Sequence, residues 1–384
     1  MSKHHDFAVI GAGVFGAWTA HFLRRSRASV ILLDAYGPGN SRASSGGETR
    51  VIRMGYVPDE LYTRWAMRSL PEWLELAERV GRELFIQSGV LWLGQESDSY
   101  LKSLAAVLSQ YGVPTEKLSS GEVARRWPQL RMDDISQGIL EPESGLLMAR
   151  SAVQALVKDL ITNGVEFQQA AVLPPAGQEK LAAIQTAGGD TISAGAFIFV
   201  CGPWLPKVFS TLLRERIFPS RQEVFFVGPP AGTDGFRVPK MLVWLHRTHP
   251  GLPYALPDVE GRGFKIAFDR HGEAFDPDDG SRVVPASSVD ELRAYLKKHI
   301  PALGDAPVIE TRVCQYENTW NGDFLIDRHP EFENVWIAGG GSGHGFKHGP
   351  ALGEYLTGRM LEGKPGESRF SLAAKQSLRQ RAIY

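Results

Sequence analysis

Three groups of residues have types and spacings suited to chemistry. The first is Gly11-Ala12-Gly13-Val14-Phe15-Gly16, with Asp34 placed 18 positions after Gly16. This set suits a dinucleotide: Gly11 allows a tight turn, Gly13 lets backbone approach a pyrophosphate, and Gly16 permits close helix-sheet packing. Asp34 would accept from ribose hydroxyls, and its charge disfavours a 2′-phosphate. The second group is Gly339-Gly340-Gly341-Ser342-Gly343-His344-Gly345-Phe346-Lys347-His348-Gly349-Pro350, a second glycine junction ahead of a helical segment. Its backbone N–H groups and the positive end of the helix dipole suit something anionic. A reduced flavin carries negative charge near N1 and its C2 carbonyl, so the two junctions together favour an elongated FAD over NAD. The third group is Thr49-Arg50-Val51-Ile52-Arg53. Its two guanidinium groups can share a side of a helical or irregular segment and fork a carboxylate. Lys347 would concentrate more positive charge there; as a mere surface lysine at a helix start it would oppose the dipole.

Those side chains need elements to position them. A strand over 7–10, a helix from the glycine turn to about 27 and a strand over 29–33 read as one βαβ unit. A buried strand over 335–338 leads into the second junction, and a helix from 351 to about 361 follows. The apolar run 196–200 ends in Cys201-Gly202-Pro203-Trp204 and returns to the first sheet. Helices are predicted over 61–80, 97–111 and 151–163, and a strand over 89–94 starts a different layer. Residues 215–314 are rich in Pro, Gly and β-formers without βα alternation, as an antiparallel sheet would be, and 227–235 reads as a loop. The predicted class is α/β: a Rossmann-like FAD-binding domain (1–88, 146–214 and 315–384) interleaved with a substrate domain built on a large, mostly antiparallel sheet (89–145 and 215–314).

Composition narrows the partners. The 384 residues are 43% hydrophobic and 22% charged, which excludes a disordered chain. Lys and Arg number 42 against 43 Asp and Glu, so no basic field exists for nucleic acid or an anionic membrane, and the expected partner is a small molecule. Cys201 and Cys314 cannot make a disulfide framework and fit a reducing compartment; Cys201 reads as a small core residue. The opening residues do not read as an export signal, and Arg381-Ala382-Ile383-Tyr384 is no peroxisomal tripeptide. A cytoplasmic monomer or small homo-oligomer is the expectation. His246-Arg247-Thr248-His249 and His344 to His348 have ligand-like spacing but lack a sequence-adjacent carboxylate or cysteine set, so no metal is expected.

Taken with the segment Ser44-Ser45-Gly46-Gly47-Glu48-Thr49-Arg50-Val51-Ile52-Arg53, the triplet Cys314-Gln315-Tyr316 and Gly343-His344-Gly345-Phe346-Lys347, the first fingerprint carries a resemblance. The chain resembles, over its full length, the monomeric sarcosine oxidase and N-methyltryptophan oxidase family of the glycine/D-amino-acid oxidase superfamily. That family oxidises secondary amines of amino acids by hydride transfer to FAD, then passes the electrons to O2 to give H2O2; it also includes pipecolate and fructosyl-amino-acid oxidases. The resemblance implies that Arg53 and Lys347 hold the substrate carboxylate, that Arg50 lies near the flavin, and that Lys265 stands over the opposite face and promotes oxygen reduction. A fixed cation lowers the barrier to making superoxide. It also implies a thioether from Cys314 to the flavin 8-methyl group, an inert thiol being the alternative. Tyr316 and Tyr254 become pocket residues. Cofactor contacts are implied for Val14, Phe15, Ser41, Arg42, Ser45, Thr49, Val172, Gly202, Trp204, Gly341, Gly343, His344, Gly345 and Phe346. One departure stands out: Asp269, with His271 nearby, replaces a substrate-site histidine. A carboxylate there favours a cationic or hydroxyl-bearing substrate over a second acid group.

Overall fold

The computed structural model describes residues 4–177, 179–270 and 272–376; His271 and 381–384 lie outside them. The chain opens with the parallel pair His4–Ile10 and Val30–Asp34, joined through the helix Val14–Arg25. Ala8, Val9, Ile10 and Ile31 to Leu33 are all buried, as strands covered on both faces must be. The helix stops short of 27 because Arg27 takes a left-handed φ of 65°.

Thr191–Phe199 pairs in parallel with His4–Ile10 on the other side, and Val335–Gly339 pairs in parallel with Thr191–Phe199. Leu325–Arg328 completes that edge antiparallel, and Glu166–Gln169 closes the opposite one. The strand carrying the first glycine turn and the strand carrying the second are therefore one strand apart, and both end at the same sheet edge. That edge is where open α/β sheets bind ligands. The helix Gly349–Glu362 packs on Val14–Arg25. A Cβ on Gly353 would stand 2.7 Å from the Trp18 backbone, so glycine there sets the helix spacing.

The second sheet runs in the order Val308–Thr319, Ile217–Val227, Phe264–Phe268, Pro253–Leu256, Val243–His246, Val90–Gly94, Gln137–Glu141 and Glu116–Ser119. Its pairings are antiparallel except between Val243–His246 and Val90–Gly94. Two expectations need correction here. Residues 315–319 do not re-enter the first sheet: Val308–Thr319 stays paired with Ile217–Val227 from Val308 through Thr319. The stretch 215–314 also contains a helix, Ala286–His299, whose buried Leu292, Tyr295, Leu296 and His299 follow i, i+3, i+4, i+7 spacing. Surrounding prolines and glycines hid that period. Its apolar face covers Trp244, Phe264 and Ile266.

A three-stranded sheet of Arg50–Ile52, Gly145–Leu147 and Phe85–Ile86 joins the two layers. Arg50 thus lies in a strand, and the helical option for the two-arginine segment is overturned. Among the described residues, no helix is long and apolar enough to cross a membrane.

Candidate functional site

The cleft begins where Ile10 passes into Gly11. Gly11 has φ +112°, and a Cβ there would lie 2.4 Å from the Val200 carbonyl oxygen; a Cβ on Gly16 would lie 1.8 Å from Gly11 O. These two glycines are demanded by the protein's own packing. Gly13 is different, because the nearest protein atom to its added Cβ is Ser45 Oγ at 3.4 Å. Its open side is space for a ligand, facing the first turn of Val14–Arg25. Ser45 Oγ accepts from Val14 N–H at 3.1 Å and fixes the turn. Asp34 accepts from Ala12 N–H at 2.8 Å and Tyr36 N–H at 2.9 Å, and burial raises its pKa against those bonds. The carboxylate is both a brace for the turn and part of the cleft wall.

The cleft encloses about 1350 Å³, counted out to solvent at its mouth, and runs from Asp34, Tyr36, Val172 and Trp204 past Gly11, Gly13 and Gly202 to Arg50, Cys314, Tyr316, Gly341, Gly343 and Gly345. Both glycine junctions contribute to one elongated space, mostly apolar with polar groups spaced along it, which fits an extended dinucleotide. Cys314 Sγ lies on its wall, 3.4 Å from the Arg50 guanidinium, and Arg50 also donates to Ser44 O at 2.7 Å.

Glu317 is the site residue that the sequence reading missed. It lines the cleft with a side chain that is 7% exposed, and its Oε1 accepts from Gly341 N–H at 3.2 Å. Oε2 is buried with no hydrogen-bond partner in the protein. Burial pushes its pKa up to about 7, opposed by the backbone N–H groups of Gly341 and Gly340. The available signal was a Glu in a strand otherwise bound for the interior. Tyr36, Gln315 and Asp278 also line the cleft and were not anticipated. Tyr36 and Trp204 place their rings 5.7 Å apart, and Asp278 accepts from Trp204 Nε1 at 2.7 Å.

Near the end of the cleft marked by Arg50 and Tyr316 lies a cluster of charge. Arg53 and Lys347, 2% and 5% exposed, converge on Tyr56: the Arg53 guanidinium sits 4.2 Å from the ring centre, and Lys347 Nζ donates to the hydroxyl at 2.8 Å. Trp92 flanks Arg53 at 4.7 Å, and His344 O accepts from Lys347 at 3.0 Å. Burial and the neighbouring Arg53 charge hold the Lys347 pKa well below its ordinary value, while Asp269 and Glu141 oppose the shift. Glu141 is engaged by Met54 N–H, Trp92 Nε1–H and Ser144 Oγ–H at 2.7 to 2.8 Å. Asp269 accepts from the Tyr316 hydroxyl at 2.9 Å, and the half-buried Tyr254 lies close to Asp269, Arg50 and Tyr316.

Lys265 does not face solvent. It is 3% exposed, and its Nζ donates to Thr49 O at 2.6 Å. Burial and Arg50 pull its pKa well below the usual value.

Several expected cofactor contacts are displaced. Ser41 is exposed, and the half-buried Arg42 donates to Asp278 O at 2.7 Å and stacks on Tyr36, standing behind these two wall residues and not in the lining itself. Asn40, Ala43 and Ser44 take their place, because the loop curls so that only alternate stretches face inward. Thr49 serves through its carbonyl as the anchor for Lys265. The His344 ring packs against Phe324 and Tyr62, away from the lining, leaving its backbone at the junction. Cys201 lines the cleft as well as its base; its thiol donates to Ile10 O at 3.4 Å, and burial raises its pKa. The absence of a carboxylate near His246, which the sequence suggested, is wrong in three dimensions: Asp134 lies 3.1 Å from its Nε2.

Comparisons with known proteins agree with this geometry. The family model described as FAD dependent oxidoreductase matches residues 6–359. The chain is 31% identical over 400 aligned residues to a monomeric sarcosine oxidase of Bacillus sp. (strain B-0618), covering 100% of both chains. It is 27% identical to an N-methyl-L-tryptophan oxidase of Yersinia pestis (strain Pestoides F), covering 96% of this chain and 99% of that one. Among solved structures, an L-proline dehydrogenase from P. horikoshii superposes with a TM-score of 0.86 at 21% identity, covering 99% and 100% of the two chains.

Proposed function

The chain belongs to the FAD dependent oxidoreductase family, and we propose that within it the protein is an oxidase of secondary amines of amino acids. Bound FAD would supply the acceptor for a hydride from the carbon attached to the amine, with O2 as the final oxidant, so that an imine and H2O2 would be the products. The protein's own contribution is to bind, orient and exclude water.

The observation that carries this reading is the paired burial of Arg53 and Lys347 over Tyr56. Two cationic side chains taken out of water side by side repel, and a bound carboxylate would draw on both of them at once. Glu141 is committed to backbone and indole donors beside them. Holding the carboxylate there fixes the adjacent carbon against the flavin end of the cleft, so orientation supplies much of the rate. The pocket favours the uncharged amine, since an ammonium has no lone pair to assist hydride loss. Lys265, anchored on Thr49 beside Arg50, would serve the oxygen step in its protonated form, which burial and the Arg50 charge oppose.

Two finer statements belong to the same proposal. Cys314, on the cleft wall with Arg50 hydrogen-bonded to its sulfur, is the attachment point for covalent flavin. Acid precipitation of the purified protein should retain yellow colour in the pellet, and Cys314→Ser should release it to the supernatant. Asp269, already accepting from Tyr316, gives the pocket an acceptor suited to a hydroxyl-bearing substituent, which favours a fructosyl amine as the second reading.

The deciding experiment is anaerobic bleaching of the visible flavin spectrum by N-methyl amino acids, cyclic imino acids and fructosyl glycine, followed by peroxide measurement on admitting O2. Bleaching should require the carboxylate. Equal bleaching by the matching amines that lack it, or none by any carboxylate-bearing secondary amine, overturns the proposal.

A further inference from the structure

On the face of the large sheet covered by the helix Ala286–His299, three segments distant in sequence bring ligand atoms together. Asp134 comes from the turn before Gln137–Glu141, His246 from the end of Val243–His246, and His299 from the last turn of the helix. Their ligating atoms all lie within 4.8 Å of one another, and none of the three lines the dinucleotide cleft. We propose that Asp134, His246 and His299 form a binding site for a divalent first-row metal ion of the zinc type, clipping helix, strand and turn together.

Hydrogen bonding on the far side of each imidazole supports this assignment. His299 Nδ1 lies 3.2 Å from Arg131 O. A carbonyl only accepts, so the proton is on Nδ1, and Nε2 carries the lone pair. His246 Nδ1 lies 2.9 Å from the Tyr295 hydroxyl, which can accept the proton that a metal on Nε2 would require at Nδ1. The imidazole stays neutral through that tautomeric shift, and no proton is lost. An outer partner on each ligating histidine is the usual way proteins fix ring orientation at a metal. His249 stays outside the set: its Nδ1 accepts from Gly251 N–H at 3.1 Å, which puts its proton on Nε2.

Spacing fits as well. Bonds of ~2.0–2.1 Å in a tetrahedral site put neighbouring ligand atoms about 3.3 Å apart. Asp134 is already 3.1 Å from His246 Nε2, so His299 alone has to close in. Thr248 Oγ1 lies 2.6 Å from His246 Nε2 and 3.0 Å from Asp134, within reach of a water in the fourth position. The two imidazoles are buried, while Asp134 is 34% exposed and offers the path of entry. Two neutral imidazoles and one carboxylate match the donor preference of Zn2+ rather than Ca2+ or Mg2+.

The test is calorimetric titration of the flavin-loaded, full-length protein with Zn2+, beside Asp134→Asn, His299→Gln and Tyr295→Phe, with the visible flavin spectrum and circular dichroism checking that each variant is folded. One ion per chain is expected, with affinity weakened at least ~100-fold in the two ligand variants and roughly 10–100-fold in Tyr295→Phe. Co2+ should give d–d absorption to the red of the flavin bands in the wild type and not in Asp134→Asn. Zn2+ should raise the melting temperature of the wild type most, that of Tyr295→Phe less, and those of Asp134→Asn and His299→Gln not at all. No stoichiometric binding by the wild type, or binding that survives both ligand substitutions, overturns the proposal.

Discussion

Gly13 and Gly16 belong to one motif, yet the structure gives them opposite reasons for being glycine, and exchanging each for alanine separates the two. A Cβ at Gly16 would lie 1.8 Å from Gly11 O and 2.8 Å from a Val200 methyl. The first of these is backbone inside a tight turn and cannot step aside, so Gly16→Ala has to displace the helix from the sheet. Overpacking of that kind costs at least ~3 kcal/mol, and the variant should melt well below wild type or fail to fold. At Gly13 the nearest protein atom is Ser45 Oγ at 3.4 Å, an ordinary contact, so Gly13→Ala should leave the flavin-free chain within ~0.5 kcal/mol of wild type. The added methyl instead enters space reserved for the cofactor. At ~1–3 kcal/mol for an unaccommodated methyl, FAD affinity should fall by roughly 5- to 150-fold. Apoprotein from riboflavin-starved cells, titrated with FAD and melted with and without it, measures both quantities. If Gly13→Ala binds FAD as wild type does, or if it unfolds as Gly16→Ala does, the cleft has been assigned to the wrong ligand.

Glu317 makes stability depend on pH in a definite direction. Its pKa is raised from 4.5 to about 7 in the folded, flavin-free protein, so between those values the unfolded chain gives up a proton that the folded chain keeps. The flavin-free protein should therefore lose about 3 kcal/mol of stability as pH rises through that window, with no further loss from this group above it. Glu317→Gln should flatten the dependence in denaturant unfolding; an unchanged profile would show that the carboxyl is solvated. At the clamp, Arg53→Lys keeps the charge and removes the fork, so the anaerobic dissociation constant of a reducing amino acid should rise ~10- to 150-fold, the equivalent of one charge-assisted hydrogen bond. A value within twofold of wild type would place the carboxylate elsewhere.

Local pattern determined a good part of this protein. Gly11, Gly13 and Gly16 sit between a short apolar run and a helical one, and that context predicts the tight strand-to-helix turn, in which Gly11 takes φ +112° and neither Gly11 nor Gly16 has room for a Cβ. The second junction was equally legible at Gly341 to Gly345. Arg53 and Lys347, 294 positions apart, were paired only by the family resemblance and not by any local pattern. What the sequence left undetermined was side-chain direction. Arg42 and His344 were placed near the cofactor by position, yet the loop and the tight turn aim both side chains away. Glu317 looked like any strand glutamate until the crossing of two sheets closed over it. The same holds for Asp134, His246 and His299, whose spacing along the chain carries no sign of contact. Burial and long-range approach depend on how separate elements stack, and no window of neighbouring residues contains that information; helix period, turn chemistry and glycine requirements are set within a few residues, which is why those could be read from the chain alone.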